Sequence, residues 1–172
     1  MLIIRNKAIV EDDWTVLRLA GNDTPQSVVV LPGKVIVPLK VWLAQRDALK
    51  DRTDLGVWFE SSDRPEALQQ DIARFGVIAV DFPKFADGRG FTIAYLLRER
   101  LGYKGELRAI GDVLRDQMFY MQRVGFDAFA PRTDKDINQA LKGLSDFSVT
   151  YQASNDDKLP LFRRVNRGVA NG

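Results

Sequence analysis

The chain contains no histidine and no cysteine in its 172 residues. The first absence removes an imidazole general base, a Ser-His-Asp arrangement and histidine ligation of zinc or haem. The second removes disulfides, thiol nucleophiles and cysteine-held iron–sulfur clusters. Acid–base chemistry would fall to Asp, Glu, Lys or Tyr. Any metal would be a hard cation held by oxygens, and no metal ligand is singled out by the sequence. Charge of one sign is also scarce. The net charge is +2, and the basic residues are dispersed, so neither a nucleic-acid nor a membrane partner is expected. No apolar run approaches the roughly 20 residues that cross a bilayer. The opening MLIIRNKAIV has neither the apolar core nor the cleavage site of a signal peptide, so a cytoplasmic location is expected.

What is present is the composition of an ordinary globular protein, 45% hydrophobic and 28% charged. The length suits one domain spanning 1–172, burying about 70% of its unfolded surface. Residues 1–37 read as a strand-rich N-terminal section, 38–153 as a β/α core and 154–172 as a polar tail. Strands are expected at 2–4, 14–19, 27–31 and 35–37, and the imperfect alternation at 14–19 suggests a partly exposed antiparallel section. Pro38 opens a helix to about Lys50. Val57, Trp58 and Phe59 form a strand, and Pro65 opens a helix carrying Leu68, Ile72 and Phe75.

The stretch 77–132 carries the clearest pattern. Three apolar runs, VIAVD, LRAIGD and DAFAPR, are separated by helical patterns at about 89–101 and 113–124. Strands alternating with helices predict an α/β fold with a parallel sheet of about five β/α units, either a partial barrel or an open sheet. A further helix, capped by Thr133 or Asp134, and a last strand at 147–151 complete it. Trp42, Trp58, Phe119, Tyr120 and 126–129 are expected in the core, and Tyr95 and Tyr103 at the surface. A partial barrel leaves sheet edges open; covering by the N-terminal strands or pairing in a homodimer would close them.

Ligands of such sheets bind at the carboxyl ends of the strands, where the charged residues fall. Asp81, Lys84 and Asp112 are the candidate catalytic residues. Arg132, after Pro131, is placed to clamp an oxyanion. Gly88, Arg89 and Gly90 lie where a loop enters a helix, so free N–H groups and a guanidinium could hold a small anion. The glycines could equally serve a tight turn capped by Asp87, and the charges could be structural salt bridges. Gly88-x-Gly90 is a poor dinucleotide fingerprint, because Ile93 stands where the third glycine belongs. No cofactor is assigned.

The run DGRGFTIAYLLRERLGYKGELRAIGDVLRDQMFYMQRVGFDAFAPR resembles a proteobacterial domain-of-unknown-function family. Its members are commonly labelled as oxidoreductases acting in sulfite reduction. The matching positions are Asp87 to Phe91, Gly111, Asp112, Asp116, Gln117, Gly125, Phe126, Asp127 and Arg132. Val124 stands where many relatives have cysteine. The resemblance implies an accessory role in assimilatory sulfite reduction, binding an oxyanion or the sulfite reductase. A stand-alone oxidoreductase or other small-molecule enzyme is the alternative. It carries no catalytic set.

Overall fold

A computed structural model describes residues 1–83 and 88–144. It contains one eight-stranded sheet. Strands β1 (Leu2–Arg5) and β2 (Ala8–Glu11) form a hairpin, and β3 (Thr15–Val16) and β4 (Val35–Pro38) precede helix α1 (Leu39–Leu49). Then come β5 (Leu55–Phe59), two short 3₁₀ turns (Pro65–Leu68 and Ile72–Arg74) and β6 (Val77–Phe82). Helix α2 (Arg89–Glu99), β7 (Glu106–Gly111), α3 (Arg115–Val124), β8 (Ala128–Phe129) and α4 (Ile137–Gly143) complete the described chain.

The strand order is β2-β1-β8-β7-β6-β5-β4-β3. From β3 to β8 every neighbouring pair is parallel and follows the order of the chain. Right-handed crossovers in one constant direction put their helices on one face of the sheet, and the sheet curls away from them into a half-barrel. The curl is forced by covalent length. Only residues 12–14 link β2 at one edge to β3 at the other. Eight flat strands at about 4.8 Å spacing would hold those edges about 34 Å apart, whereas four Cα steps reach at most about 14 Å.

Alternation along the strands sorts side chains between the two faces. Val37, Val57, Ile78, Val80, Leu107 and Ala109 point out to the helices, among them Ala94, Leu97, Met118 and Met121. Ile36, Trp58, Val77, Ala79 and Ile110 point inward and meet Trp14, Val16 and Ala130. Helix α2 can approach the sheet because position 90 is glycine: a Cβ there would lie 2.6 Å from the Phe82 ring.

Several expectations are corrected. The N-terminal section is antiparallel only in the β1–β2 hairpin and its pairing to β8; β3 and β4 are parallel. Alternation reports the exposed face of a strand and not the direction of its neighbour. The strand Ala8–Glu11 was not expected and its turn is Asn6-Lys7, both at positive φ. Residues 27–31 form no strand, although Val28 is buried in the core. The helix at Pro65 is two separate 3₁₀ turns, with Asp71 between them taken by Trp42 Nε1 at 3.1 Å and Arg46 Nη2 at 2.7 Å. The last described helix is capped by Asp136, which accepts from the Asn138 amide, and not by Thr133 or Asp134. Tyr120 is exposed, and Tyr103 is buried with its hydroxyl donating to the Phe75 carbonyl at 2.9 Å. The expected strand at 147–151 and the tail lie outside the described residues. The N-terminal strands extend both ends of the sheet, β1–β2 beyond β8 and β3 beyond β4, so β2 and β3 are its outer strands.

Candidate functional site

Strands β6 and β7 are paired along their whole length, with Asp81 opposite Ile110 and Phe82 opposite Gly111. Their carboxyl ends therefore finish side by side, and Asp81 points to the inner face with Ala79. It is nearly buried and both its oxygens are held by Arg18: Nη2 donates to Oδ1 at 2.8 Å and Nη1 to Oδ2 at 3.3 Å. Arg18 follows β3 and its guanidinium lies 5.0 Å from the Trp58 ring centroid. The Trp58 indole donates to the Leu17 carbonyl at 2.9 Å, which fixes the ring under the arginine. Arg18 remains half exposed, at 50%.

The chain leaves β7 through Gly111, whose φ is +86°. A Cβ there would stand 2.5 Å from Asp81 Oδ1 and 2.6 Å from the Phe82 carbonyl, so only glycine lets the two strand ends meet. The next residue, Asp112, is bound by Arg132 Nη1 at 3.1 Å. Arg132 also forks onto Asp134, with both bonds at 3.0 Å. These carboxylates raise the Arg132 pKa further, Asp134 contributing more than Asp112. Arg132 is 45% exposed. Two Asp–Arg pairs thus stand at the ends of neighbouring strands.

Of the candidate residues, Asp112 and Arg132 are brought into contact, and Asp81 is packed against the turn leading to Asp112. Lys84 and Asp87 lie outside the described residues. Gly88 occupies the N-cap of α2 with Arg89 opening the helix, both exposed. Gly90 is buried against Phe82, a packing reason for that glycine.

Sequence reasoning missed a second ionic layer inside the half-barrel. Arg108 sits mid-strand in LRAIG and is only 1% exposed. It donates to Asp12 Oδ2 and Oδ1 at 2.8 and 2.9 Å, and to Glu106 Oε1 at 2.7 Å. Arg5 joins the same two carboxylates, at 2.8 Å from Glu106 and 3.3 Å from Asp12. Burial alone would lower the Arg108 pKa, but its bonds to Asp12 and Glu106 outweigh that and raise it. A charged residue inside an apolar strand run was the available signal, since buried arginines are paired. Arg18 had no such signal, because its partner lies on β6, far along the chain.

Asp81, Asp112 and Arg132 lie within the region that carries the family likeness, and Arg18 lies before it. Residues 56–162 match the model of the family described as bacterial protein of unknown function (DUF934). The match begins in β5, so β1–β4, with Asp12 and Arg18, precede it. No curated protein and no solved structure matches the chain. No helix among the described residues is long and apolar enough to cross a membrane, and no cluster of acidic residues among them could hold a metal ion. With more than half of its length matched, the chain belongs to this bacterial family of unknown function.

Proposed function

We propose that the chain is an accessory protein of assimilatory sulfite reduction, acting by binding an oxyanion or the sulfite reductase itself. The resemblance of residues 87–132 to proteins labelled for that process motivates the reading. The observation that carries it is the state of the strand-end carboxylates. Asp81 has both oxygens occupied by Arg18, and Asp112 is held by Arg132. A carboxylate already committed to a guanidinium is poorly placed to take a substrate proton. Half-exposed Arg–Asp pairs set on rigid strand ends favour recognition of a charged partner, where electrostatic complementarity sets specificity and encounter rate.

Recovery of the tagged protein from its own host grown on sulfate, followed by mass spectrometry, tests this. Sulfite reductase subunits in stoichiometric amount are expected if the reductase is the partner, and Arg132→Glu should reduce their recovery. If the protein is recovered alone, calorimetry with sulfite and sulfate decides the oxyanion branch. Failure of both experiments overturns the proposal.

A further inference from the structure

A cavity lies at the opposite end of the sheet from the two Asp–Arg pairs. It has a volume of about 780 Å³, within the range of about 300–1,000 Å³ usual for small-molecule sites. Its walls are the loops that enter β7 and β8 and the Asn6-Lys7 turn that leaves β1. The turn is brought there by sheet pairing. Arg5 stands opposite Ala128, and the Asn6 amide donates to the Asp127 carbonyl at 2.9 Å.

One side chain makes these walls rigid. Arg98, from α2, donates through Nε to the Gly125 carbonyl and through Nη1 to the Tyr103 and Gly105 carbonyls, all at 2.9 Å. Its Nη2 lies 3.2 Å from Asp127 Oδ2. Arg98 therefore ties together the two loops that enter β7 and β8, and its charge is balanced by Asp127. It builds the cavity and has little left to offer a ligand. The remaining cations of the lining are different. Lys7 and Lys104 are exposed, and neither has an ion-pair or hydrogen-bond partner among the described residues. Glu99 supplies one negative charge to the same lining. Phe126, Phe129 and Leu144 lie behind these residues and are almost wholly buried.

We propose that this cavity binds a small organic anion, its acidic group held between Lys7 and Lys104. The proposal is independent of the sulfite reading, because it uses none of the residues at the carboxyl ends of the strands. A preformed recess that combines apolar surface with a few placed polar groups is the ordinary form of such a site, and this lining is about equally polar and apolar.

The test is a titration of the full chain with anilinonaphthalene sulfonate, an apolar body carrying one anionic group, followed by amide NMR shifts and by dye fluorescence. Shifts are expected at Asn6, Lys7, Lys104 and Gly125. The double variant Lys7→Glu with Lys104→Glu should weaken binding by about tenfold or more, while its amide spectrum reports an intact fold. If that variant does not fold, Lys7→Gln with Lys104→Gln should still lose several-fold. The uncharged anilinonaphthalene should bind more weakly than the sulfonate. No binding, shifts confined to other surfaces, equal affinity in the variants or equal affinity for the uncharged analogue would each overturn the proposal.

Discussion

The two ends of the parallel strands are built from similar residues and put them to different use. At the carboxyl ends, Arg18 and Arg132 are each locked to aspartates, and both remain about half exposed. Toward the amino ends, Arg108 is sealed in the interior with Asp12 and Glu106, while Lys7 and Lys104 stand at a cavity with no partner among the described residues. The rule that ligands of α/β sheets gather at the carboxyl ends directs attention to one end. The cavity and the uncommitted cations direct it to the other. The difference teaches that a charge is informative only together with what already neutralises it.

The contrast can be broken first at the interior network. Arg108→Ala should leave Asp12 and Glu106 facing each other within the half-barrel, with Arg5 as their remaining cation. A loss of about 3–5 kcal/mol in urea unfolding is expected; a loss below about 1 kcal/mol would mean the layer is well hydrated. Gly111→Ala comes next. The positive φ and the contacts of the added methyl with Asp81 Oδ1 and the Phe82 carbonyl predict about 2–3 kcal/mol, with the Arg18–Asp81 pair displaced.

The carboxyl-end pairs themselves should differ from one another. Arg18→Ala abandons a nearly buried Asp81, at about 1–2 kcal/mol, and should change the emission of Trp58, which loses its stacked guanidinium. Arg132→Ala removes exposed pairs to Asp112 and Asp134, and a smaller loss than for Arg18→Ala is expected. Equal costs for the two would show that burial of Asp81 contributes nothing.

The smallest effect belongs to Asp127. Burial raises its pKa above 3.8, against the lowering by the Leu107 amide and by Arg98. A carboxyl group whose folded value is raised favours folding while protonated. That contribution is lost as pH rises from the ordinary Asp range through the folded value. The stability of the wild type relative to Asp127→Asn should therefore fall between pH 3 and pH 7, a trend that urea midpoints at both ends of the range would reveal. An opposite slope would mean that Arg98 dominates. The Asp127 side chain is 38% exposed, so the effect should be slight.

Much of this fold is legible in the sequence, for physical reasons. The strand at 77–82 is apolar but for Asp81, and 107–110 is apolar but for Arg108, because both sheet faces are buried there, and each is followed by a helix with apolar residues at helical spacing. Pro38 at the mouth of α1 and Gly125 at the end of α3 mark helix limits by their backbone constraints. What was hidden is what depends on pairing between distant segments. The strand Thr15–Val16 falls within the expected 14–19, but its parallel pairing with β4 is settled only by the crossing of residues 12–14. For the same reason Asp81 and Asp112 were found from their place at strand ends, while Arg18, which determines what Asp81 can do, was not. The cavity lysines were invisible because Lys7 lies in a hairpin turn and Lys104 in an ordinary connecting loop.

The three-residue link between β2 and β3 also sets an order of events during synthesis. Its flanking strands cannot both take their places until β8 exists, since Ile4 must meet Phe129. The hairpin β1–β2, made well before β8, is thus among the last to be seated. Until then Asp12 has no Arg108 beside it, and the inner apolar face stays open to solvent. Such distant pairing makes for slow folding. A ribosome-bound chain ending before residue 128 should therefore expose that face, and chaperone capture should decline once β8 has emerged.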